Sequence, residues 1–405
     1  MSDLGAPDAA PVTVAGRLSG YLRGGGVIAP ILTVIVAFLV AGLVVLVTGH
    51  NPISTYRAIF DGTGLSWLLP WTSSADRSVA AINLQQTLIQ TTPLIVTGLA
   101  VAFAFRCGLF NIGGQGQYIA GWIFAVWIGS SFAGMPSVLH IVLAIVGACA
   151  AAAVWGGIAG VLKATTGASE VITTIMLNWV AYWVGFWLFG LGGPLQNDRQ
   201  KSVPVSNDVV PGAKLPVFWG DPELQGLHVG IFIALAALLV FWVLLNRTRL
   251  GFEVRAVGFN PDAAQASGIS VARNYIVVMA ICGAFAGLGG ALDVLGWQFR
   301  VATNDIQISQ IGFLGIAVAL LGRNTAVGVL FSSLLFGALL TGTSVRNLDP
   351  TIFSPDLANN LTQVIQGLVV LFVSADVLVL WVFRLRRKSR RERPAAAGEA
   401  VAEAS

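Results

Sequence analysis

The sequence has few charged residues, and this scarcity excludes an ordinary soluble protein. Asp, Glu, Lys and Arg make up only 10% of the 405 residues, whereas a soluble domain carries about 25%. Hydrophobic residues make up 56%, and the mean hydropathy is +0.79. Because a helix satisfies its own backbone polar groups inside a bilayer, this composition predicts an all-α, polytopic membrane protein.

Cysteine and histidine are also scarce, with three residues of each. Cys107, Cys149 and Cys282 lie in or beside apolar segments and show no CxxC spacing, so they predict neither a disulfide framework nor a zinc site. The three histidines are far apart in the sequence. We therefore expect no metal site.

Sequence motifs that carry catalytic chemistry are missing as well. No GxxxxGKS/T phosphate-binding loop occurs, and no acid–base pair or nucleophile triad is recognisable. We therefore expect no catalytic residue and no cofactor bound by this chain. The net charge of +4 comes from basic residues beside apolar runs, a placement typical of membrane topology and not of a nucleic-acid partner.

The apolar runs predict about ten transmembrane helices, some of them short or broken, since about 20 apolar residues cross a bilayer. The predicted spans are residues 27–49, 84–105, 118–132, 139–162, 171–190, 229–245, 275–297, 311–321, 326–341 and 361–383. Lys and Arg cluster beside alternate ends of these runs, which predicts that both termini lie in the cytoplasm.

This topology divides the chain into three parts. Residues 1–24 form a loose cytoplasmic N-terminus, residues 25–384 a transmembrane domain, and residues 385–405 a basic and then Ala/Glu-rich cytoplasmic tail. Within the domain, the long connections are an outer loop at 191–227 and a cytoplasmic segment at 247–274. The basic tail is explained by topology and by attraction to anionic membrane lipids.

The stretch RCGLFNIGGQGQ at 106–117 interrupts the second and third spans. Non-helical backbone at membrane depth is tolerated only where protein or a water-filled cavity satisfies it, so Asn111, Gln115 and Gln117 are candidates to hydrogen-bond a polar, uncharged solute. An ordinary tight cytoplasmic turn is the alternative. Residues 106–117 and 311–323 are either half-helices or the ends of full spans.

Two polar residues inside spans are further candidates for a solute path, because such residues are costly in a membrane. Asp293 lies within the seventh span and either faces a central cavity or pairs with Arg300. Asn178 either lines the path or joins two helices by a hydrogen bond.

The cytoplasmic segment contains the signals of a short, capped helix at 261–267. Asn260 is suited to the N-cap, Pro261 to the first turn, Ala264 to the interior and Gly268 to the end of the helix. Such a helix at the membrane surface is suited to docking against a partner.

Two stretches of the chain resemble each other: GLAVAFAFR at Gly98–Arg106 and GIAVALLGR at Gly315–Arg323. Each is followed by a break and another apolar run. The similarity indicates either a parallel duplication or a chance match between apolar segments.

Five blocks, taken in order, resemble a known family. They are FNIGGQGQ, GASEVITTIMLNW, GFEVRAVGFNPDAAQASGI, GAFAGLGGAL and GFLGIAVALLGRNTAVG. This series is similar to the permease subunits of bacterial ABC importers for simple sugars and nucleosides, which are related to the ribose and branched-chain amino acid permeases.

The resemblance implies a subunit in the bacterial cell membrane that pairs with a second, similar permease as a heterodimer. It also implies a cytoplasmic ATPase, which holds ATP and Mg²⁺, and an outer substrate-binding lipoprotein. The residues it assigns to ATPase coupling are Glu253, Arg255, Gly258, Asn260, Pro261, Ala264 and Gly268.

The block GASEVITTIMLNW and the length of the chain favour nucleosides as the solute, with a simple sugar as the alternative. An ion-coupled secondary transporter would leave the docking segment unexplained. A membrane-embedded enzyme or assembly factor is disfavoured by the missing catalytic residues.

Overall fold

The computed structural model describes residues 28–47, 49–222, 226–344 and the single positions 363, 364, 367, 368 and 371. The predicted N-terminus and tail, and nearly all of the tenth span at 361–383, lie outside the described residues. The chain divides into two compact units, of which residues 50–363 form the larger. The first helix, Ile28–Val47, belongs to the other unit.

The described chain is built almost entirely of helices. In chain order they are α1 Ile28–Val47, α2 Pro52–Thr63, α3 Ser74–Arg106, α4 Gly114–Ser130, α5 Ser137–Thr166, α6 Glu170–Phe189, α7 Gly230–Arg247, α8 Arg249–Phe259, α9 Pro261–Ala266, α10 Val271–Asp293, α11 Thr303–Ile308, α12 Ile311–Leu321 and α13 Ala326–Gly342. A π-helical turn, Val294–Gln298, extends α10.

Six helical stretches of the described chain are long and apolar enough to cross a membrane. They are Asp76–Arg106, Ser137–Thr166, Glu170–Phe189, Gly230–Arg247, Val271–Gln298 and Thr303–Leu321. A seventh is reached if α1 and α2 count as one broken span, and α13 is apolar but shorter. The all-α, polytopic membrane fold with short or broken helices is thereby confirmed, whereas the number ten stays a prediction.

The core of the larger unit lies where α10 packs against α5 and α3. The backbones of α5 and α10 approach so closely that a Cβ at Gly283 would overlap the carbonyl oxygen of Ala152. Such close approach of small residues is how helices associate in a membrane, where burial of apolar surface gives no driving force. The centre of α3, including Leu94, Leu99 and Phe103, is fully buried.

The predicted outer loop at 191–227 has regular structure toward its C-terminal end. It contains a 3₁₀ turn, Pro211–Ala213, and strand β1, Val217–Trp219, which pairs antiparallel with β2, Leu227–His228. Strands this short carry little sequence signal, because their pairing depends on where the loop ends meet.

Candidate functional site

The interruption between α3 and α4 is present in the structure. Helix α3 ends at Arg106, and Gly108 follows with a φ of +73°. The N–H of Leu109 closes the helix end by donating to the carbonyl of Ala104 at 3.1 Å. Helix α4 begins only at Gly114, so residues 110–113 belong to neither helix and their backbone N–H groups need other partners.

Asn111 and Gln117 form a buried amide pair across this interruption. Asn111 Nδ2 donates to Gln117 Oε1 at 3.0 Å, and Gln117 Nε2 donates to Asn111 Oδ1 at 3.2 Å. The N–H of Gly113 donates to the same Asn111 oxygen at 2.9 Å. The pair therefore satisfies side-chain and backbone groups at once.

Asn178 reaches the interruption from α6. Its Oδ1 accepts from the N–H of Gly116 at 2.7 Å, and its Nδ2 donates to the carbonyl of Ile112 at 3.0 Å. One amide side chain thus satisfies a donor of α4 and an acceptor of the non-helical stretch. Asn178 fixes α6 to the interruption.

Gln115 connects the start of α4 to the start of α12. Its Nε2 donates to the carbonyl of Ser309 at 2.9 Å, and its Oε1 accepts from the N–H of Gly312 at 2.9 Å. The N–H of Gly312 has no intrahelical partner, because it lies in the first turn of α12. Gln115 supplies that partner.

Asp293 lies at the end of α10 with 3% of its surface exposed. Four neutral groups donate to its carboxylate: Tyr118 OH, Trp122 Nε1 at 3.1 Å, Trp297 Nε1 and Gln298 Nε2 at 3.0 Å. Such hydrogen bonds offset the cost of burying a charged group.

The alternative that Asp293 pairs with Arg300 is wrong. Arg300 is part of the described chain but does not bind this carboxylate. The π-helical turn places Trp297 and Gln298 beside Asp293. These four donors were not predicted from the sequence, although Tyr118 and Trp122, four residues apart, share one face of α4.

The five candidate path residues are therefore all buried, and each forms hydrogen bonds to other protein groups. Asn111, Gln115, Gln117 and Asn178 meet at the interruption, while Asp293 lies in a separate cluster with the two tryptophans. Their contact with a solute stays a prediction.

A half-buried ion pair also supports the interruption. Glu170, the first residue of α6, accepts from Lys163 Nζ at 2.7 Å and from the N–H of Phe110 at 3.5 Å. The sequence indicated only a favourable carboxylate at a helix start. The pairing joins the ends of α5 and α6 to the non-helical stretch.

The segment at 247–274, predicted to be cytoplasmic, contains the expected short helix as α9. Asn260 Oδ1 accepts from the N–H of Ala263 at 3.0 Å, and Pro261 occupies the first turn. Gly268 has a φ of +82°, and the N–H of Ile269 donates to the carbonyl of Ala264 at 3.0 Å. The helix ends at Ala266, one residue earlier than predicted.

A second helix, α8, precedes α9 and was not predicted separately. Its buried face carries Val254 and Val257, both fully buried. At Gly258 the helix lies against the end of α3, and a Cβ there would overlap the carbonyl oxygen of Arg106.

Glu253 and Arg255 fix α8 to the helices on either side. The guanidinium of Arg255 donates to the carbonyl of Leu245 at the end of α7. Glu253 accepts from Arg249 at 2.9 Å and from Asn274 Nδ2 of α10 at 3.4 Å. Both charged side chains therefore form hydrogen bonds to other groups of this protein.

A surface groove of about 530 Å³ lies along α8 and α9. Its lining residues are Arg249, Phe252, Glu253, Ala256, Phe259, Asn260, Ala263, Ala264, Ser267, Gly268, Ile269, Ser270 and Arg273. Phe252 is 60% exposed and Phe259 is 94% exposed. Four of the seven predicted coupling residues line the groove, whereas Arg255, Gly258 and Pro261 do not.

Several known proteins are similar to this chain. The guanosine ABC transporter permease protein NupP of Bacillus subtilis is 36% identical over 360 residues, which are 89% of this chain and 96% of NupP. The nucleoside ABC transporter permease protein NupB of Lactococcus lactis is 34% identical over 361 residues, 87% of this chain and 92% of NupB. The glucose ABC transporter permease protein TsgB13 of Haloferax volcanii is 33% identical over 358 residues, 85% of this chain and 86% of TsgB13.

Bacillus subtilis and Lactococcus lactis each have a second, more distant relative of this chain. NupQ of Bacillus subtilis is 28% identical over 276 residues, 67% of this chain and 85% of NupQ. NupC of Lactococcus lactis is 29% identical over 272 residues, 65% of this chain and 82% of NupC. No solved structure matches the chain.

The family model described as the branched-chain amino acid transport system permease component matches residues 83–374. This range contains the interruption, the segment at 247–274 and the Asp293 cluster. Together with the helical membrane architecture, the match shows that the chain is a multi-pass membrane protein and belongs to the branched-chain amino acid transport permease family.

Proposed function

We propose that this chain is a transmembrane subunit of an ATP-driven importer of nucleosides. The observation that carries the proposal is the compact α8–α9 segment, which is capped, tied to α7 and α10, and bordered by an exposed groove. A surface element transmits force to a membrane domain only if its own packing is fixed. A secondary carrier would have no need of such an element.

The groove supports docking of a cytoplasmic ATPase. Phe252 and Phe259 are seven residues apart and lie on the same side of α8, opposite the buried Val254 and Val257. Since the buried side packs on the transmembrane helices, the two phenylalanines face away from them. Exposed aromatic side chains beside arginines are typical of protein interfaces.

The remaining subunits follow from the same proposal. ATP and Mg²⁺ bind to the ATPase, and a lipoprotein on the outer surface delivers the solute. A second permease completes the path as a heterodimer, which is supported by the occurrence of two relatives of this chain in Bacillus subtilis and in Lactococcus lactis. Both termini of this chain lie in the cytoplasm.

Within the subunit, we assign the four amide residues of the interruption and Asp293 to the wall of the translocation path. Their hydrogen bonds favour a role in holding the shape of that wall. The closure of two ATPase subunits on ATP would move α8 and α9 and rock the two permeases around the path.

Nucleosides are proposed as the solute because two relatives at 34% identity or more, NupP and NupB, are named for guanosine and nucleosides. A simple sugar is the second candidate, since TsgB13 is named for glucose.

The test is uptake of labelled guanosine into vesicles that contain this chain, its second permease and the ATPase, with the binding protein added outside. Parallel samples contain excess unlabelled glucose or ribose, or lack ATP. We expect ATP-dependent uptake that neither sugar reduces. A further sample receives labelled glucose or ribose, and ATP-dependent uptake of that sugar but not of guanosine would make a sugar the solute. Uptake that follows a proton gradient without ATP would refute the importer.

A further inference from the structure

The two similar stretches found in the sequence cross each other in the structure. Gly98 of α3 lies against Val318 of α12, and Gly315 of α12 lies against the backbone of Thr97. Helices α3 and α12 therefore meet at the glycines that begin the two stretches. From this crossing, α3 runs to its last residue, Arg106, and α12 ends two residues before Arg323.

Arg106, the last residue of the first stretch, binds the residue that directly follows the second stretch. Arg106 Nε and a terminal guanidinium nitrogen of Arg106 donate to the carbonyl oxygen of Asn324 at 3.0 and 2.8 Å. A cation near the C-terminus of a helix also interacts favourably with the helix dipole. The guanidinium thus holds the turn between α12 and α13.

This turn is rigid. Arg323 and Asn324 have φ angles of +52° and +54°, and the N–H of Asn324 donates to the carbonyl of Ala319 at 2.9 Å. Thr325 caps α13 by accepting from the N–H of Gly328 at 3.1 Å. A displacement of the Asn324 carbonyl therefore moves the ends of both helices.

The backbone of Arg106 is also the surface on which α8 rests. A Cβ at Gly258 would overlap the carbonyl oxygen of Arg106, so the α8 backbone lies directly against this residue. Gly108, in the turn that follows, lies against Gly258 as well. Arg106 thus contacts α8 through its main chain and the α12–α13 turn through its side chain.

We infer that Arg106 is a positioning residue which transmits movement of α8 to the α12–α13 turn, and that this link couples ATP hydrolysis to import. The inference rests on the proposed function and extends it to a residue that the docking segment does not contain. When α8 moves, its close contact at Gly258 displaces the end of α3. The two hydrogen bonds of the guanidinium then carry that displacement to α12 and α13.

Gln115 holds the opposite end of α12. Since the N-terminal end is fixed to α4 and the C-terminal end to Arg106, movement of α8 tilts α12 about its N-terminal attachment. The solute path next to the interruption changes shape as a result. Loss of the Arg106 bonds would let α8 move without α12.

The test is the number of solute molecules imported per ATP hydrolysed, measured in vesicles with the complete transporter. Arg106→Gln removes the charge and the two hydrogen bonds that the guanidinium donates. Arg106→Lys keeps the charge but has a single donating nitrogen. As a control, Arg199→Gln removes a charge from the exposed outer loop. We expect Arg106→Gln to lower the ratio about fivefold or more, in the range of couplings between sites. Arg106→Lys should give an intermediate ratio and Arg199→Gln the wild-type ratio.

A purely structural role for Arg106 would reduce the amount of assembled transporter and lower hydrolysis and import together, which leaves the ratio unchanged. An unchanged ratio in assembled Arg106→Gln transporter overturns the inference. If Arg106→Gln does not assemble, a wild-type ratio in Arg106→Lys overturns it instead. Failure of the wild-type transporter to import with ATP would refute the proposed function and is distinguishable from both results.

Discussion

Replacing Asn178 by Ala tests whether the interruption is held by the amide side chains around it. The substitution removes the partner of the Gly116 N–H and of the Ile112 carbonyl, which are bound at 2.7 and 3.0 Å. A buried polar group left without a partner costs about 1–3 kcal/mol, so the two groups together should cost about 2–6 kcal/mol.

The assay is thermal unfolding of the purified protein in detergent. Because 1 kcal/mol shifts the midpoint by about 2–4 °C in a domain of 150–250 residues and by less in a larger protein, we expect the midpoint to fall by roughly 2–7 °C. Met176→Ala is the matched control, because Met176 lies on the same helix but is 54% exposed. It should leave the midpoint nearly unchanged.

The same variant separates two roles of Asn178. If the side chain only supports the interruption, the half-saturating solute concentration for the remaining folded transporter stays at the wild-type value. A midpoint for Asn178→Ala that matches Met176→Ala would refute the structural argument. A raised half-saturating concentration with an unchanged midpoint would instead support direct contact with the solute.

Three further predictions concern other parts of the molecule. Phe259→Ala, at a side chain that is 94% exposed, should weaken binding of the ATPase about tenfold or more without lowering the unfolding midpoint. Equal binding of the ATPase by Phe259→Ala and by the control Phe232→Ala, an exposed residue of α7, would contradict this. Asp293→Leu should destabilise the protein more than Asp293→Asn, because leucine leaves four donors, of which Tyr118 and Trp122 are buried, without an acceptor. Equal unfolding midpoints for the two variants would contradict this. Burial lowers the pKa of His228 to about 4, below the unfolded value of about 6.5. The stability that the buried, neutral imidazole contributes should therefore be complete above a pH of about 6.5 and lost as the pH falls toward 4. A His228→Asn protein whose unfolding midpoint falls by the same amount between pH 7.5 and 5 would contradict this.

The sequence determined the features that depend on neighbouring residues. Membrane insertion followed from the shortage of charge, and α9 followed from Asn260, Pro261 and Gly268, whose caps were found where they were predicted. The interruption between α3 and α4 followed from its glycines. These features arise within a few residues of the chain, so composition and spacing contain the information.

The tertiary structure alone decided which distant groups meet. Nothing in the spacing of Arg106 indicated the carbonyl of Asn324, and nothing around Asp293 excluded Arg300 in favour of Tyr118 and Trp122. Such partners are set by the angles at which helices cross, and those angles depend on the close approach of backbones at many glycines at once. A backbone carbonyl also has the same chemistry at every position, so only the folded chain determines which one a side chain finds.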